Sequence, residues 1–365
     1  MRDSAPRLGS EAGYSLIELL VSAAIMLTVT GAIFSLMNPA QGASEAQTEI
    51  ADVQQGMRVG SDALFKELVM AGAGVYHGST TGSLINFFAP ILPRRSGAQN
   101  PDPATVFRPD AISITYIPNS YSQTTILRSM PAQSQELKVN DLDASKCPKK
   151  DPLCAFTEGM VVLIFDSTGH FDTFEITNVQ SPAAHLQHRG QDLNYSYQSG
   201  ASITQAVSNT FYRDDATNQL MRYNGGATDT PIIDNLVDMQ VSYFGDPNPP
   251  KVPKPPLGEE NCLYDAGGNP KLPVLPMTDG SLAALTPAML IGPEFCGAGN
   301  TQYDPDLLRV RKVRVSLRVQ VASAALRGMN QTLWKNPGKS QGGVKTVPDY
   351  TVTFEVTPRN LNLAR

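Results

Sequence analysis

At 365 residues the chain is long enough to bury a substantial core, as one large or two smaller soluble units. A formal charge of -5 with the signs evenly mixed leaves no basic face of the kind nucleic acid requires, so no nucleic-acid partner is expected. Charged residues make up only 17%, and with 29 glycines and 28 prolines the composition predicts turns and short strands, not a long helical bundle beyond the N-terminus.

The first element is the run from Gly13 to Met37, GYSLIELLVSAAIMLTVTGAIFSLM, with one carboxylate, Glu18, near its start. No charged residue occurs between Leu19 and Ser44. About 20 residues at 1.5 Å each match a hydrocarbon layer of roughly 30 Å, and a segment in lipid must be helical to satisfy its own backbone. The preceding leader, 1–13, carries Arg2 and Arg7 but also Asp3 and Glu11, and ends in Gly13. A conventional secretory signal is cut after its apolar run; a cut at Gly13 instead keeps the run as an anchor. Glu18 is costly at the edge of a membrane helix, and such groups are functional candidates. Cleavage would create an amine on Tyr14, four residues before Glu18. Between neighbouring chains, that amine and carboxylate would register one helix against the next.

These residues carry a resemblance. GYSLIELLV at Gly13–Val21 resembles the class III signal, G-[FY]-[ST]-L-[IV]-E-L-[LM]-[VI], of type IV prepilins and type II secretion pseudopilins. The resemblance implies cleavage after Gly13 by a prepilin peptidase, methylation of a mature N-terminus at Tyr14, and Glu18 as the assembly glutamate. Tyr14 stands where phenylalanine is commoner. It further implies a single-pass pool in the inner membrane, held by the lipid bilayer with its soluble domain in the periplasm, before transfer through an inner-membrane assembly platform into a filament. An ordinary signal anchor with a chance glutamate is the plain alternative.

After Asn38-Pro39, where proline predicts a bend or loosened turn, Ala46, Ile50, Val53, Met57, Gly60, Leu64 and Leu68 recur at spacings of three and four. This predicts one helix over 14–73, membrane-spanning over 14–40 and amphipathic beyond, stopping around Gly72 to Gly74. Gly56 and Gly60 form a G-x-x-x-G pair that reads either as a point of close helix approach or, more simply, as a thinned helix surface. The remainder, 74–365, reads as a β-rich soluble domain. From Thr105 to Pro118 the period changes to that of a strand, with Ile112, Ile114 and Tyr116 alternating with Ser113 and Thr115, and further strands are expected at Thr124 to Arg128, Met160 to Phe165, Phe171 to Val179, Asn209 to Arg213, Gln219 to Tyr223 and Leu236 to Phe244. No helical crossover separates them, so the sheet should be antiparallel. Ile85 to Arg95, broken by Pro90 and Pro93, is a loop or an edge strand.

Four cysteines behind an export signal suit two disulfides, for which sequence permits three pairings. Cys147 with Cys154 and Cys262 with Cys296 each bracket a loop-like stretch, and loop closure would contribute about 2.5 and about 4 kcal/mol. Zinc is the competing reading, opposed by the absence of any C-x-x-C pair. The second pair lies in a Pro-rich insertion, 246–306, opened by PNPPKVPKPP, which reads as a stapled surface loop or a proline-rich ligand and offers a contact surface to a neighbouring subunit. Next, Val313, Val315, Leu317, Val319 and Val321 alternate with Lys312, Arg314, Ser316, Arg318 and Gln320. That basic face is either solvated or complementary to acids on a neighbouring strand or subunit. A last strand, Tyr350 to Val356, would pair with it.

The two C-terminal elements, RVRKVRVSLRVQ and DYTVTFEVTPRNL, resemble PilW-type minor pilins, with GspJ-like pseudopilins as the related alternative. This resemblance implies a low-copy subunit that primes assembly or sits at the tip with other minor pilins and the major pilin.

No nucleotide loop, H-E-x-x-H or G-x-S-x-G motif is present. His185 and His188 would align for a metal only on one helical turn, and ordinary surface histidines are the simpler reading. Asp214, Asp215 and Asn218, or Asp304 and Asp306, offer oxygens to calcium without EF-hand spacing, and turn acids account for them as well. No cofactor and no catalytic residue are therefore expected. The fold expected is α+β and pilin-like: a long N-terminal helix packed on an antiparallel β-sheet domain with large loop insertions. The function expected is a minor pilin; a minor pseudopilin of type II secretion and a membrane-tethered periplasmic enzyme or binding module are the alternatives.

Overall fold

The computed structural model describes residues 13–74, 88–118, 122–166, 168–190, 192–252, 254–292, 294–340 and 346–362. Apart from Gly13, the leader expected at 1–13 lies outside the described residues, as does the start of the Ile85–Arg95 segment.

One helix, α1, runs from Leu16 to Met70, 55 residues without interruption at Asn38-Pro39. At 1.5 Å per residue it is roughly 80 Å long. The expected stripe is the one that is buried: Ala46, Val53, Gly60, Leu64 and Leu68 face inward, with Ile50 and Met57 half-buried beside them. At its end Gly72 takes a φ of 68°, a left-handed turn that favours glycine. Its N–H donates to Thr115 O at 3.1 Å, and Ala73 O accepts from Ile117 N at 2.8 Å, so the helix is handed directly to the sheet.

Sixteen strands follow among the described residues. They are β1 (Ile91–Leu92), β2 (Ala111–Tyr116), β3 (Gln123–Thr125), β4 (Glu136–Lys138), β5 (Val161–Phe165), β6 (Phe171–Glu175), β7 (Asn178–Gln180) and β8 (His185–Gln187). Then come β9 (Ser202–Gln205), β10 (Val207–Asp214), β11 (Gln219–Tyr223), β12 (Asp229–Ile233), β13 (Leu236–Gly245), β14 (Ala283–Leu285), β15 (Val310–Val319) and β16 (Tyr350–Val356). They form antiparallel sheets in the orders β1-β2-β10-β11-β12, β14-β13-β15-β16, β3-β9-β5-β6 and β4-β8-β7. The first two sheets carry α1. The single strand expected over Phe171 to Val179 is two, β6 and β7, which belong to different sheets.

β5 divides the interior. Its sequence, VVLIF, is apolar throughout because both faces are covered. Leu163 and Phe165 join the core under α1, while Val162 and Ile164 join a second core with Ile126, Leu137, Phe174, Leu186 and Ile203.

The insertion leaves from β13 and returns to its own neighbour β15, which pair from Leu236↔Val319 to Gly245↔Val310. It is bonded down by Cys262–Cys296, 5.2 Å between Cα atoms; the other disulfide, Cys147–Cys154 across 5.6 Å, closes a loop between β4 and β5. Arg309, fully buried, donates to Pro247 O at 2.8 Å and Pro273 O at 2.6 Å and pairs with Asp306 at 2.5 Å. β15 and β16 pair from Val313↔Val356 to Val319↔Tyr350. The basic face of β15 is answered within the chain: Lys312 pairs with Glu355 and Asp279, Arg314 with Glu355, and Arg318 with Asp349.

The G-x-x-x-G pair has a structural role different from the thinned surface expected. Ile233 of β12 sits in the gap: a Cβ on Gly60 would overlap its Cδ1 and lie 2.5 Å from its Cγ1, and one on Gly56 would lie 3.2 Å from its Cγ2. Gly60→Ala should therefore lower the denaturation midpoint, because overpacking of about 1–3 kcal/mol outweighs the roughly 1 kcal/mol gained in helix propensity. In an Ile233→Ala background the same substitution should raise it. Equal effects in both backgrounds, followed by circular dichroism, would remove Ile233 as the cause.

Candidate functional site

The segment that opens α1 is built from a short local network. Ser15 is extended, with φ -76° and ψ 148°, and leaves the helix's first amides needing acceptors. Its Oγ accepts from Glu18 N at 3.3 Å. In return the Glu18 carboxylate accepts from Ser15 N and from Ser15 Oγ, both at 2.9 Å. This is a capping box, and Ser15 three residues ahead of Glu18 was its sequence signal. In the single chain, then, Glu18 already has a partner. Tyr14 beside it is 91% exposed. Its nitrogen is an amide while Gly13 remains attached, so an ionic pair with Glu18 has cleavage as its precondition.

From Leu16 to Met37 the helix is long and apolar enough to cross a membrane, 22 residues or about 33 Å, and none of it is covered by the rest of the chain. Leu16, Ile17, Leu20, Met26, Leu27, Phe34 and Leu36 all stand open. The remaining half of α1 packs on the sheets. One helix thus joins a bare apolar rod to a folded domain.

The other candidate groups are occupied elsewhere. His185 opens β8 and bonds Glu136 across β4; His188 follows the strand, buried, with its ring 4.7 Å from that of Phe174. A strand puts residues three apart on opposite faces, so the two do not converge, and His188 is a core side chain instead of the surface histidine expected. Asp214 accepts from Ala216 N at 3.0 Å and Thr217 Oγ1 at 2.7 Å, while Asp215 and Asn218 hold Arg213. This is a turn between β10 and β11. Among the described residues no group of three or more His, Cys, Asp or Glu side chains is placed to hold a metal ion.

Two buried acids are structural centres: Asp172, which no sequence pattern marks, and Asp304, which holds a turn as the plainer of its two readings had it. Asp172 accepts from Asn194 N, Asn194 Nδ2, Tyr195 N and Tyr197 Oη at 2.6 to 3.2 Å; burial raises its pKa in spite of these donors. Asp304 accepts from Asp306 N at 2.8 Å and from Gly292 N, and closes the end of the insertion. Burial pushes its pKa up to about 6. Nearby, Arg94 donates to Gln302 O at 2.5 Å, and burial lowers it to about 10. These groups hold loops: the donors of Asp172 come from 194–197, and those of Asp304 from Gly292 and Asp306. Compared with known proteins, the chain matches no family model and no curated protein.

Asp304 makes stability depend on pH. Its folded pKa lies above the ordinary 3.8, so its contribution is present below about pH 4 and is lost as pH rises through about 6, by about 3 kcal/mol in all. Asp304→Asn should flatten the stability-against-pH curve across that window, whatever it does to absolute stability. Superimposable slopes for the two chains in urea melts at pH 4 to 7 would discard this assignment.

Proposed function

We propose that the chain is a minor pilin, a structural subunit without a reaction of its own, which primes or tips a type IV pilus. The observation that carries this reading is the combination at α1: GYSLIELLV opens a helix whose first 22 apolar residues are bare while its later turns are fixed to a β-rich domain. A bare apolar rod needs lipid or other helices around it, and the proposed life of the subunit supplies both in turn. Before assembly the rod lies in the inner membrane with the domain in the periplasm. Prepilin peptidase removes the leader after Gly13. The helix then moves laterally, through the assembly platform, into a bundle with the major pilin and other minor pilins. There the Tyr14 amine of one chain and Glu18 of a neighbour set the register.

The length of the soluble part and its disulfide-bonded insertion favour a low-copy position, since bulk is accommodated more easily at a tip than in a close-packed shaft. A pseudopilus of type II secretion uses the same N-terminal chemistry.

Mass spectrometry of the mature N-terminus is the first test. The expected product begins at methylated Tyr14 in cells with the peptidase and keeps its leader in cells without it. A leader intact in both strains would reduce the segment to a plain anchor and move the search to an enzymatic or binding role of the tethered domain. Glu18→Ala should then be processed and inserted normally but reach sheared filaments at least tenfold less. Ser15→Ala removes the same cap and keeps the carboxylate, so it should incorporate. Equal defects in the two variants would assign Glu18 to capping alone. Loss of secretion with pili intact would point to the pseudopilus.

A further inference from the structure

A cavity of about 100 Å³ opens where β6, the β2–β10 pair and the end of the insertion meet. Among small and polar lining residues, one wall is a fixed aromatic cluster: Phe88, Phe171 and Tyr303 are each buried, with ring centroids 5.3 Å apart for Phe88–Phe171 and 6.2 Å for Phe171–Tyr303. The strand period places Phe171, Thr173 and Glu175 on one face of β6, and all three line the space. Glu175 is the single charged side chain in the lining.

The polar neighbours of Glu175 are committed to the fold. Asn194 donates its amide to Asp172 at 2.6 Å, and Ser208 Oγ accepts from Thr115 Oγ1 at 3.2 Å. The Glu175 carboxylate, half-buried against Gly226 in the β11–β12 turn, forms no hydrogen bond or ion pair among the described residues. A pocket with an aromatic cluster on one wall and one unmatched carboxylate selects a ligand with the complementary pattern. An apolar cavity of about 150 Å³ holds one benzene ring. This space is smaller but open on one side, so a single ring fits with its substituent toward the rim.

We infer that this cavity binds a small aromatic cation, one ring carrying a protonated amine, with the ring against Phe88, Phe171 and Tyr303 and the amine on the Glu175 carboxylate. The ring gains edge and face contacts with the three aromatics, and the ammonium gains a charge-assisted hydrogen bond in a site with no competing cation. The inference does not depend on the assembly role.

Benzylamine is the probe, with toluene as its uncharged counterpart, titrated against the full chain in lipid nanodiscs and followed by saturation-transfer NMR with empty nanodiscs as reference. Benzylamine should bind saturably. Glu175→Gln should weaken it at least tenfold and leave toluene unchanged. Ala98→Trp, at the exposed rim, should weaken both, since it obstructs the space without altering the core. No saturable binding above the nanodisc reference, equal binding of benzylamine by wild type and Glu175→Gln, or indifference to Ala98→Trp would each overturn the assignment.

Discussion

The seating of α1 on the sheets is the contact on which the rest of the molecule depends. The helix has 55 residues, and the rest of the chain buries none of its first 22, so its tertiary support comes from the later half, chiefly the stripe running from Ala46 to Leu68. A helix held along less than half its length must be held closely. Gly60 lets the backbone approach until Ile233 fills the space a side chain would need, and Leu64 and Leu68 continue the contact with no exposure. The hand-over at Gly72 and Ala73 to Thr115 and Ile117 then fixes the rod's end to β2. Any load on the bare half is transmitted through these residues to the sheets.

Away from that seam the interior is partitioned. β5 contributes one face to each core, and β6 does the same with Phe171 and Phe174. Strands shared in this way cannot pack ideally on both sides where a neighbouring sheet edge ends. The cavity beside Phe171 lies at such a place, where β6 has no strand on its outer edge and the insertion arrives with Tyr303. The insertion itself is part of the core: Leu263, Tyr264, Leu275, Leu290 and Tyr303 are buried, and the buried Arg309 guanidinium bonds the carbonyls of Pro247 and Pro273. Proline-rich chain lacks amide donors but keeps its carbonyls, and an arginine with five donors is suited to collecting them.

What could be read from the sequence was what repeats along it. The α1 stripe declared itself by spacings of three and four, and β2, β5, β11, β13 and β15 by length and alternation. β4, β7 and β8 have three residues each, too few for a period, and β12 hides behind Pro231 on a sheet edge. The break between β6 and β7 at Ile176-Thr177 carries no glycine or proline, so nothing local marks it. The Pro-rich start of the insertion announced an excursion from the sheet, but the partners of Arg309 lie 36 and 62 residues away and had no local signature. At the candidate site, Glu18 stood out as a charge in an apolar run. Its bond to Ser15 is written in the same stretch as S-x-x-E, the pattern of an ordinary helix cap.

That cap changes the energetics of the proposed assembly. Glu18 in the single chain accepts two hydrogen bonds from Ser15, both at Oε2, so a Tyr14 amine from a neighbour adds to a charge that is already held instead of rescuing a bare one. A carboxylate already held by two donors gains less from a third, and desolvation of both ions opposes even that. The main driving force must then come from elsewhere. Lipid tails are as apolar as leucine, so moving Leu16 to Met37 from bilayer to bundle gains through close packing of helix against helix, not through escape from water. Such packing has little preference for register along a run of leucine, isoleucine, valine and alanine. A single ion pair at one end does have that preference, because a slip of one turn, about 5.4 Å, would leave Glu18 to Ser15 alone and the amine without its carboxylate. In the proposed filament, therefore, the apolar rod supplies most of the affinity and Glu18 selects the register.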